Sequence, residues 1–263
     1  IMKPYINLIN LKKKTINFKK IKPFPLVVID NFFKRKYALK LHQEFPELSN
    51  SNMFVYDNPV EIKKASNNWN IFPPITYEIF SYLNSIEFVK YLSKIINIKD
   101  LYADPGLNGG GWHVMGNKGK LNPHLDYSLH PKLKLKRKLN IIIFLSKGWK
   151  KSWGGETQFY NHDPKLNSPK KLFNEVTPKF NRAILFDTSL KSWHGVKKVI
   201  CPKNISRKTL AVYYLTNPSK NTSKRKKALY KPQTDQKITK KLLKFIDKRS
   251  NEKSASKVYI YKL

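Results

Sequence analysis

The sequence of 263 residues contains a single cysteine, Cys201, so no disulfide can form within the chain. Proteins without disulfides are typical of reducing compartments, and we expect this protein to be cytoplasmic. No apolar run approaches the roughly 18 residues that a membrane-spanning helix requires, so we expect no membrane span. Residues 1–22 interleave lysines with apolar residues and contain no small-residue cleavage site, a pattern that argues against a signal peptide in this stretch.

Acidic residues are also scarce. Asp and Glu number 17 against 52 Lys and Arg, which gives a formal net charge of +35. An AT-rich genome would enrich lysine, but it would not remove acids. The alternative is a functional positive field that attracts RNA, anionic lipid or another acidic polymer. Both explanations stay open, and neither identifies a chemistry.

The N-terminal part of the chain predicts one strand followed by helices. Residues 26–29 form a short apolar run with β-branched side chains, which is typical of a buried strand. Apolar side chains then recur every four positions from Phe33 to Phe45, which predicts an amphipathic helix. Two further apolar stripes, within residues 75–83 and 88–96, predict two more helices.

Two stretches show no readable periodicity, residues 49–70 and residues 161–174. We interpret both as polar loops, with a short strand conceivable around residues 53–56. Because binding residues are often carried on loops, these stretches are the expected determinants of substrate choice.

From residue 101 onward, short strands alternate with glycine-containing turns. Residues 139–145 are the strongest strand, since their near-continuous apolar run indicates burial on both faces. Asn140 lies within this run, and it either faces inward, where a ligand could satisfy its amide, or lies at an exposed strand start. Several short strands with turns between them predict a mainly β fold with flanking helices.

The composition changes after residue 217. We therefore divide the chain into a main domain, residues 1–217, and a basic C-terminal extension, residues 218–263. The extension contains a basic cluster at residues 224–227 and a candidate edge strand at residues 258–261. A narrow apolar stripe predicts one helix in it, formed by Ile238, Leu242, Leu243 and Ile246.

The chemically informative stretch is His124-Leu125-Asp126. Residues i and i+2 of a strand point the same way, so His124 and Asp126 can reach one metal ion together. His194, from a facing strand, would complete a set of two histidines and one carboxylate. That facial triad suits non-heme Fe(II), because it leaves coordination positions open. An isolated H-x-D is weak evidence, since such pairs are also common at surfaces and in turns.

Arg207 begins another strand after His194. A guanidinium deep in a barrel must be paired, and it matches a carboxylate bidentately. A dicarboxylate that chelates the metal at one end could place its far carboxylate at Arg207. Thr209 lies two residues further on the same strand face, where its hydroxyl could bind the same group. A strand-end arginine at the surface is the ordinary alternative.

These residues occur in the order found in a known family. The chain resembles the Fe(II)/2-oxoglutarate-dependent oxygenase superfamily, and specifically its prolyl 4-hydroxylase-like branch. The resemblance spans roughly residues 22–216. Its matching pieces are Pro23-Phe24-Pro25 through Phe33, Asp104-Pro105 with Gly109-Gly110-Gly111, His124-Leu125-Asp126, residues 137–145, Trp149 with Trp153-Gly154-Gly155-Glu156, His194-Gly195 and Arg207-Lys208-Thr209.

The resemblance implies a double-stranded β-helix, also called a jelly roll or cupin-like fold. It implies Fe(II) as metal and 2-oxoglutarate and O2 as co-substrates, and it allows ascorbate as a further cofactor. The implied metal ligands are His124, Asp126 and His194. The implied co-substrate residues are Arg207, Thr209 and, as a secondary candidate, Asn140; plausible pocket walls are His113, Tyr127 and Trp193.

The activity implied is hydroxylation of an unactivated C–H, first of all in a prolyl residue of a protein or peptide, with release of succinate and CO2. Two departures bear on the substrate. Collagen-type relatives usually place lysine where this chain has Arg207. Nucleic-acid dealkylating relatives carry a second arginine where this chain has Tyr213, which argues against base repair.

The pattern from Arg137 to Gly155 is similar to prolyl hydroxylases that act on ribosomal protein, which would suit a basic protein close to RNA or the ribosome. Hydroxylation of a free amino acid or a sugar stays open. A different class of function is a basic binding module for nucleic acid or an anionic surface, built on an inactive jelly roll.

Overall fold

The computed structural model describes residues 5–258. In this part of the chain, thirteen strands form one antiparallel sheet that curls into a nearly closed barrel, with five α-helices beside it. The predicted fold, mainly β with flanking helices and of jelly-roll type, is confirmed. No helix among residues 5–258 is long and apolar enough to cross a membrane.

The strands are β1 (Leu26–Ile29), β2 (Phe54–Asn58), β3 (Glu61–Ser66), β4 (Tyr102–Ala103), β5 (Gly111–Met115), β6 (Lys120–Leu125), β7 (Lys136–Phe144), β8 (Thr157–Asp163), β9 (Ser168–Val176), β10 (Arg182–Asp187), β11 (Trp193–Val196), β12 (Arg207–Thr216) and β13 (Leu229–Tyr230). The helices are α1 (Leu8–Lys14), α2 (Arg35–Glu44), α3 (Pro74–Leu83), α4 (Ile86–Ile96) and α5 (Lys240–Ser250). Neighbouring strands follow the order β1-β10-β7-β12-β5-β3-β6-β11-β8-β9, while β13 pairs with β6, β2 with β3 and β4 with β12.

One face of β7 and β12 packs in the hydrophobic core, and the other face lines a cavity. Alternate residues of β7, such as Ile141 and Ile143, pack into the main hydrophobic core with the helices. The residues between them, Asn140 and Ile142, line a cavity inside the barrel. Because side chains alternate along a strand, one apolar run supplies both the core and the cavity wall.

The short strand considered around residues 53–56 is confirmed as part of β2, but the prediction of loops for the rest of the two stretches is wrong. Residues 49–70 contain the β2–β3 hairpin, and residues 161–174 include the end of β8 and most of β9. The sequence of β3, Glu-Ile-Lys-Lys-Ala-Ser, has little β-propensity of its own. It forms a strand because β5 and β6 pair with it, so tertiary context overrides the local preference.

The predicted helix of the C-terminal extension is present, but its buried face differs from the predicted stripe. Helix α5 is capped by Thr239, whose hydroxyl accepts from the Leu242 amide. Its buried residues are Leu242, Phe245, Ile246 and Arg249, whereas Ile238 precedes the helix and is exposed, and Leu243 is about half exposed. The division at residue 217 stays a prediction, and residues 259–261 of the candidate edge strand lie outside the described residues.

Gly111, the first residue of β5, allows the sheet to close tightly. Its φ is +88°, and a Cβ atom there would lie 2.1 Å from the Ser66 carbonyl oxygen. Because that obstacle is backbone, we expect Gly111→Ala to lower the free energy of unfolding by at least about 2 kcal/mol. Denaturant unfolding measures this loss. Gly148→Ala is the matched control, since Gly148 has φ of +70° but no atom within 4 Å of an added Cβ. Equal losses in both variants would contradict the prediction.

Candidate metal and co-substrate site

Three of the predicted residues meet at one side of the barrel cavity. His124 on β6 lies directly opposite His194 on β11, with ring centroids 4.2 Å apart. The Asp126 carboxylate lies 3.8 Å from His124 Nε2 and 3.9 Å from His194 Nε2. One donor atom from each residue falls within 4.8 Å of the others, a spacing that suits three ligands of a single small cation.

The backbone sets which nitrogen each histidine presents. His124 Nδ1 lies 3.0 Å from the Asn122 carbonyl oxygen, and His194 Nδ1 lies 2.9 Å from the Ser192 carbonyl oxygen. A carbonyl only accepts, so each Nδ1 carries the hydrogen and each Nε2 keeps a free lone pair. Burial, and then the neighbouring His194, lower the pKa of His124 to about 3, so its ring is neutral at physiological pH.

The carboxylate of Asp126 is held ionised. Burial is the largest single effect and acts to raise the pKa of Asp126, but several neighbouring groups, Arg137 foremost, together lower the pKa below its ordinary value. Asp126 Oδ1 lies 3.4 Å from Arg137 Nη1, whereas its Oδ2 is buried without any hydrogen-bond partner among the described residues. An unpartnered buried carboxylate oxygen between two imidazoles is a donor set that fits a divalent cation.

Arg137 belongs to the site although the sequence marked it only as part of a matching segment. Its guanidinium lies between the rings of Tyr127 and Tyr213, 3.4 Å from each centroid, and its Nη2 donates to the Asn108 carbonyl oxygen. This stacking fixes the guanidinium beside Asp126. The only sequence signal for it was a charged residue at the start of a buried strand.

Arg207 is almost fully buried and has no carboxylate within ion-pair distance in residues 5–258. Its Nε donates to the Gly155 carbonyl oxygen at 2.7 Å, and its Nη2 donates to Thr157 Oγ1 at 2.9 Å. Burial lowers the pKa of Arg207 to about 9, against a smaller opposing effect of Glu156. Buried charges ordinarily have a partner, so this cation retains the capacity to pair with an anion in the cavity.

The structure brings Asn140 and Thr209 to the same cavity as Arg207. Asn140 is buried and faces inward, and its Oδ1 has no hydrogen-bond partner among residues 5–258. Thr209 Oγ1 makes only a long contact, 3.4 Å, with the His113 carbonyl oxygen. Both groups therefore have hydrogen-bonding capacity left for a ligand.

The predicted pocket walls are placed unequally. His113 and Tyr127 line the cavity, but Trp193 does not. The Trp193 side chain is fully buried against Leu125 and Tyr160, because it points to the opposite side of β11 from His194. Adjacent strand residues alternate in direction, which the order Trp193-His194 already indicated.

The cavity has a volume of about 500 Å³, within the range of small-molecule sites. Its walls carry the triad, Arg207 and Arg137, and its rim includes the β2–β3 hairpin. Residues of the C-terminal extension also line it, which the sequence did not indicate. They are Lys226, Lys227, Ala228, Tyr230 and Arg249.

Comparison with known families agrees with this geometry. Residues 110–215 match the family model described as the 2OG-Fe(II) oxygenase superfamily. None of the curated proteins compared with the chain matches it. The matched region contains β5 to β12 almost entirely, and with them the triad, Arg137, Asn140, Arg207 and Thr209.

Solved structures with the same fold include several oxygenases. A prolyl-4-hydroxylase of Pseudomonas putida has a TM-score of 0.51 at 11% identity and covers 79% of this chain and 99% of its own. A prolyl 4-hydroxylase of Phytophthora capsici has a TM-score of 0.50 at 20% identity, covering 90% of this chain and 72% of its own. SnoK, an alpha-ketoglutarate-dependent carbocyclase from nogalamycin biosynthesis, has a TM-score of 0.53 at 11% identity, with coverage of 89% and 91%.

The fold is a jelly roll, and its cavity contains a donor set that fits a divalent metal ion. Residues 110–215 match the 2OG-Fe(II) oxygenase superfamily and contain the three metal-donor residues, which supports a 2-oxoglutarate-dependent dioxygenase. The predicted cofactors, Fe(II) and 2-oxoglutarate, fit the unpartnered donors of the cavity.

Proposed function

We propose that this enzyme hydroxylates an unactivated C–H bond, with His124, Asp126 and His194 holding Fe(II). Arg207 holds the far carboxylate of 2-oxoglutarate, with Thr209 and Asn140 as further polar contacts. The observation that carries this assignment is one cavity that combines three convergent metal donors with a buried, carboxylate-free guanidinium.

The residues of the chain have separable tasks. His124 and His194 present Nε2 to the cavity, and Asp126 contributes the negative charge, kept ionised by Arg137 together with other neighbouring groups. Gly155 and Thr157 hold Arg207 by two of its nitrogens, so the guanidinium cannot swing away from the cavity. When bound, Fe(II) supplies O2 activation coupled to oxidation of 2-oxoglutarate to succinate and CO2. The buried walls limit the access of water to this chemistry.

For the substrate, we propose a prolyl residue in a protein or peptide. The support is the sequence resemblance to the prolyl 4-hydroxylase-like branch and the form of the rim. Strand β2 pairs with β3 alone in the described part of the chain, and its Phe54 is 60% exposed beside the cavity. An exposed aromatic residue on a free strand edge is suited to an extended polypeptide.

The charge of +35 supports a substrate or location close to RNA, such as the ribosome, and the single buried thiol of Cys201 is in keeping with the cytoplasm. A free amino acid or sugar is the alternative substrate. A catalytically inactive, basic binding module is the alternative function. The donor set disfavours this last alternative, because two imidazoles and an ionised carboxylate converge in a buried place.

The test is succinate formation from 2-oxoglutarate with added Fe(II), for the wild type beside His124→Ala. Matched peptide pools, one rich in proline and one with alanine in its place, are added to each. We expect iron-dependent turnover that the proline pool stimulates and the variant lacks, with one oxygen atom added to prolyl peptides by mass spectrometry. Equal stimulation by both pools would contradict the prolyl assignment. Salt-sensitive RNA binding without any metal or 2-oxoglutarate binding would favour the inactive module.

A further inference from the structure

The segment 225–231 of the C-terminal extension lies against the strand that carries His124 and Asp126. Strand β3 pairs with β6 only at its beginning, through Glu61 opposite Leu121 and the next pair. Beyond that point β13 takes over, with Leu229 opposite Leu125 and Tyr230 opposite His124. Without β13, the part of β6 that carries the first metal ligand would have an unpaired edge on that side.

The segment is attached on both sides of the H-x-D motif. Before the motif, the Lys231 amide donates to the Pro123 carbonyl oxygen at 2.9 Å. After the motif, the Ser128 amide donates to the Arg225 carbonyl oxygen at 2.8 Å. His124 and Asp126 thus lie between two backbone anchors supplied by the extension.

The side chain of Arg225 reaches the metal-side backbone directly. Its Nη1 donates to the carbonyl oxygens of Asp126, at 2.6 Å, and Leu125, at 3.2 Å. Its Nη2 lies 3.3 Å from Ser128 Oγ. Strand β6 ends at Leu125, so the Asp126 carbonyl lies beyond the paired part of the strand. Arg225 satisfies this carbonyl and fixes the peptide that orients the Asp126 carboxylate.

Tyr230 contacts the first ligand itself. Its ring stacks on His124, with centroids 5.2 Å apart and an interplanar angle of 24°. The other side of Tyr230 is held by α5, since Arg249 makes a buried ion pair with Glu61 at 2.7 Å and lies 5.1 Å from the Tyr230 ring. The imidazole is therefore confined between Tyr230 and His194.

We infer that Arg225 and Tyr230 are positioning residues of the metal centre, so that the C-terminal extension completes the oxygenase site. This inference rests on the proposed function, because it needs His124 and Asp126 as metal ligands. Mutation of residues that orient metal ligands without touching the ion typically lowers metal affinity by about 10- to 100-fold. The extension thus has a defined role in the site, apart from its basic charge.

The test is titration of the full chain with Co(II), followed by its absorption bands and without 2-oxoglutarate or turnover. We expect Arg225→Ala and Tyr230→Leu to weaken Co(II) binding by about 10-fold or more and to shift the bands. Tyr230→Phe keeps the stacked ring and should restore both affinity and spectrum. Arg182→Ala is the matched control, because Arg182 also makes several hydrogen bonds but lies off the cavity, on Asp30 and Thr177.

The outcomes separate the two proposals. Wild-type affinity and spectrum in Arg225→Ala and Tyr230→Leu would overturn the positioning role while leaving the metal site intact. An equal loss in Arg182→Ala would also overturn it, since the effect would then be general destabilisation. Failure of the wild type to bind Co(II) would overturn the proposed function and the positioning role together. Thermal unfolding of each variant, followed by circular dichroism, identifies any variant that does not fold. If Arg225→Ala does not fold, the Co(II) affinities of Tyr230→Phe and Tyr230→Leu decide whether the positioning role holds.

Discussion

Asp126→Asn is expected to lower the affinity for Fe(II) or Co(II) by at least about 100-fold and to abolish succinate formation. The substitution keeps the shape of the side chain but replaces an anionic ligand by a neutral amide. Loss of residues that merely orient a ligand costs about 10- to 100-fold in affinity, so loss of the only charged ligand should cost more. Metal titration by calorimetry and the succinate assay measure the two effects.

Asp187→Asn is the matched control for Asp126→Asn. Asp187 is also a buried carboxylate paired with a cation, Lys138, but it lies outside the cavity lining. Its replacement should cost stability without changing metal affinity. If both variants bound the metal as the wild type does, Asp126 would not be a ligand.

Arg207→Met is expected to weaken 2-oxoglutarate binding by about 30-fold or more while leaving metal affinity unchanged. Removing one partner of a buried charge pair costs about 2 to 5 kcal/mol, and each 1.4 kcal/mol corresponds to about tenfold in affinity. The methionine has a similar length and no charge. Because the guanidinium is buried without a carboxylate partner before the ligand enters, the variant should be at least as heat-stable as the wild type in the absence of 2-oxoglutarate.

Two measurements test the Arg207 prediction. Calorimetric titration of 2-oxoglutarate into metal-loaded protein measures the affinity, and thermal unfolding of the ligand-free protein measures the stability. Arg182→Met serves as the control, since it removes a guanidinium whose partner, Asp30, is internal to the protein. This control should lose stability and keep 2-oxoglutarate affinity. Unchanged affinity in Arg207→Met would place the co-substrate carboxylate elsewhere.

The placement of the candidate ligands could be predicted from sequence because it depends on strand periodicity. His124 and Asp126 lie two residues apart, and the structure shows them converging with His194 from the neighbouring strand. Asn140 follows the same rule, since the residues on either side of it pack outward. Binding of the ion and of 2-oxoglutarate by these residues stays a prediction.

The remainder of the site depends on long-range pairing that leaves no local pattern. Glu61 belongs to a strand of low β-propensity and pairs with Arg249, 188 positions away. Arg225 reaches Asp126 across 99 positions. In a chain with 52 basic residues, nothing distinguished these two arginines from solvated ones. Their roles follow from burial, which is a property of the folded chain.

The late position of β13 in the chain has a consequence for biosynthesis. A protein chain emerges from the ribosome N-terminus first, at about 5 to 20 residues per second. The three candidate ligands are all synthesised once His194 has been added, but Tyr230 follows 36 residues later (230−194), about 2 to 7 s at that rate. Strand β12 is also added within this interval, and from then until Tyr230 follows the nascent barrel would have β6 half unpaired. Iron should therefore be retained only after segment 225–231 has docked, which makes metal loading a late step in the maturation of the enzyme.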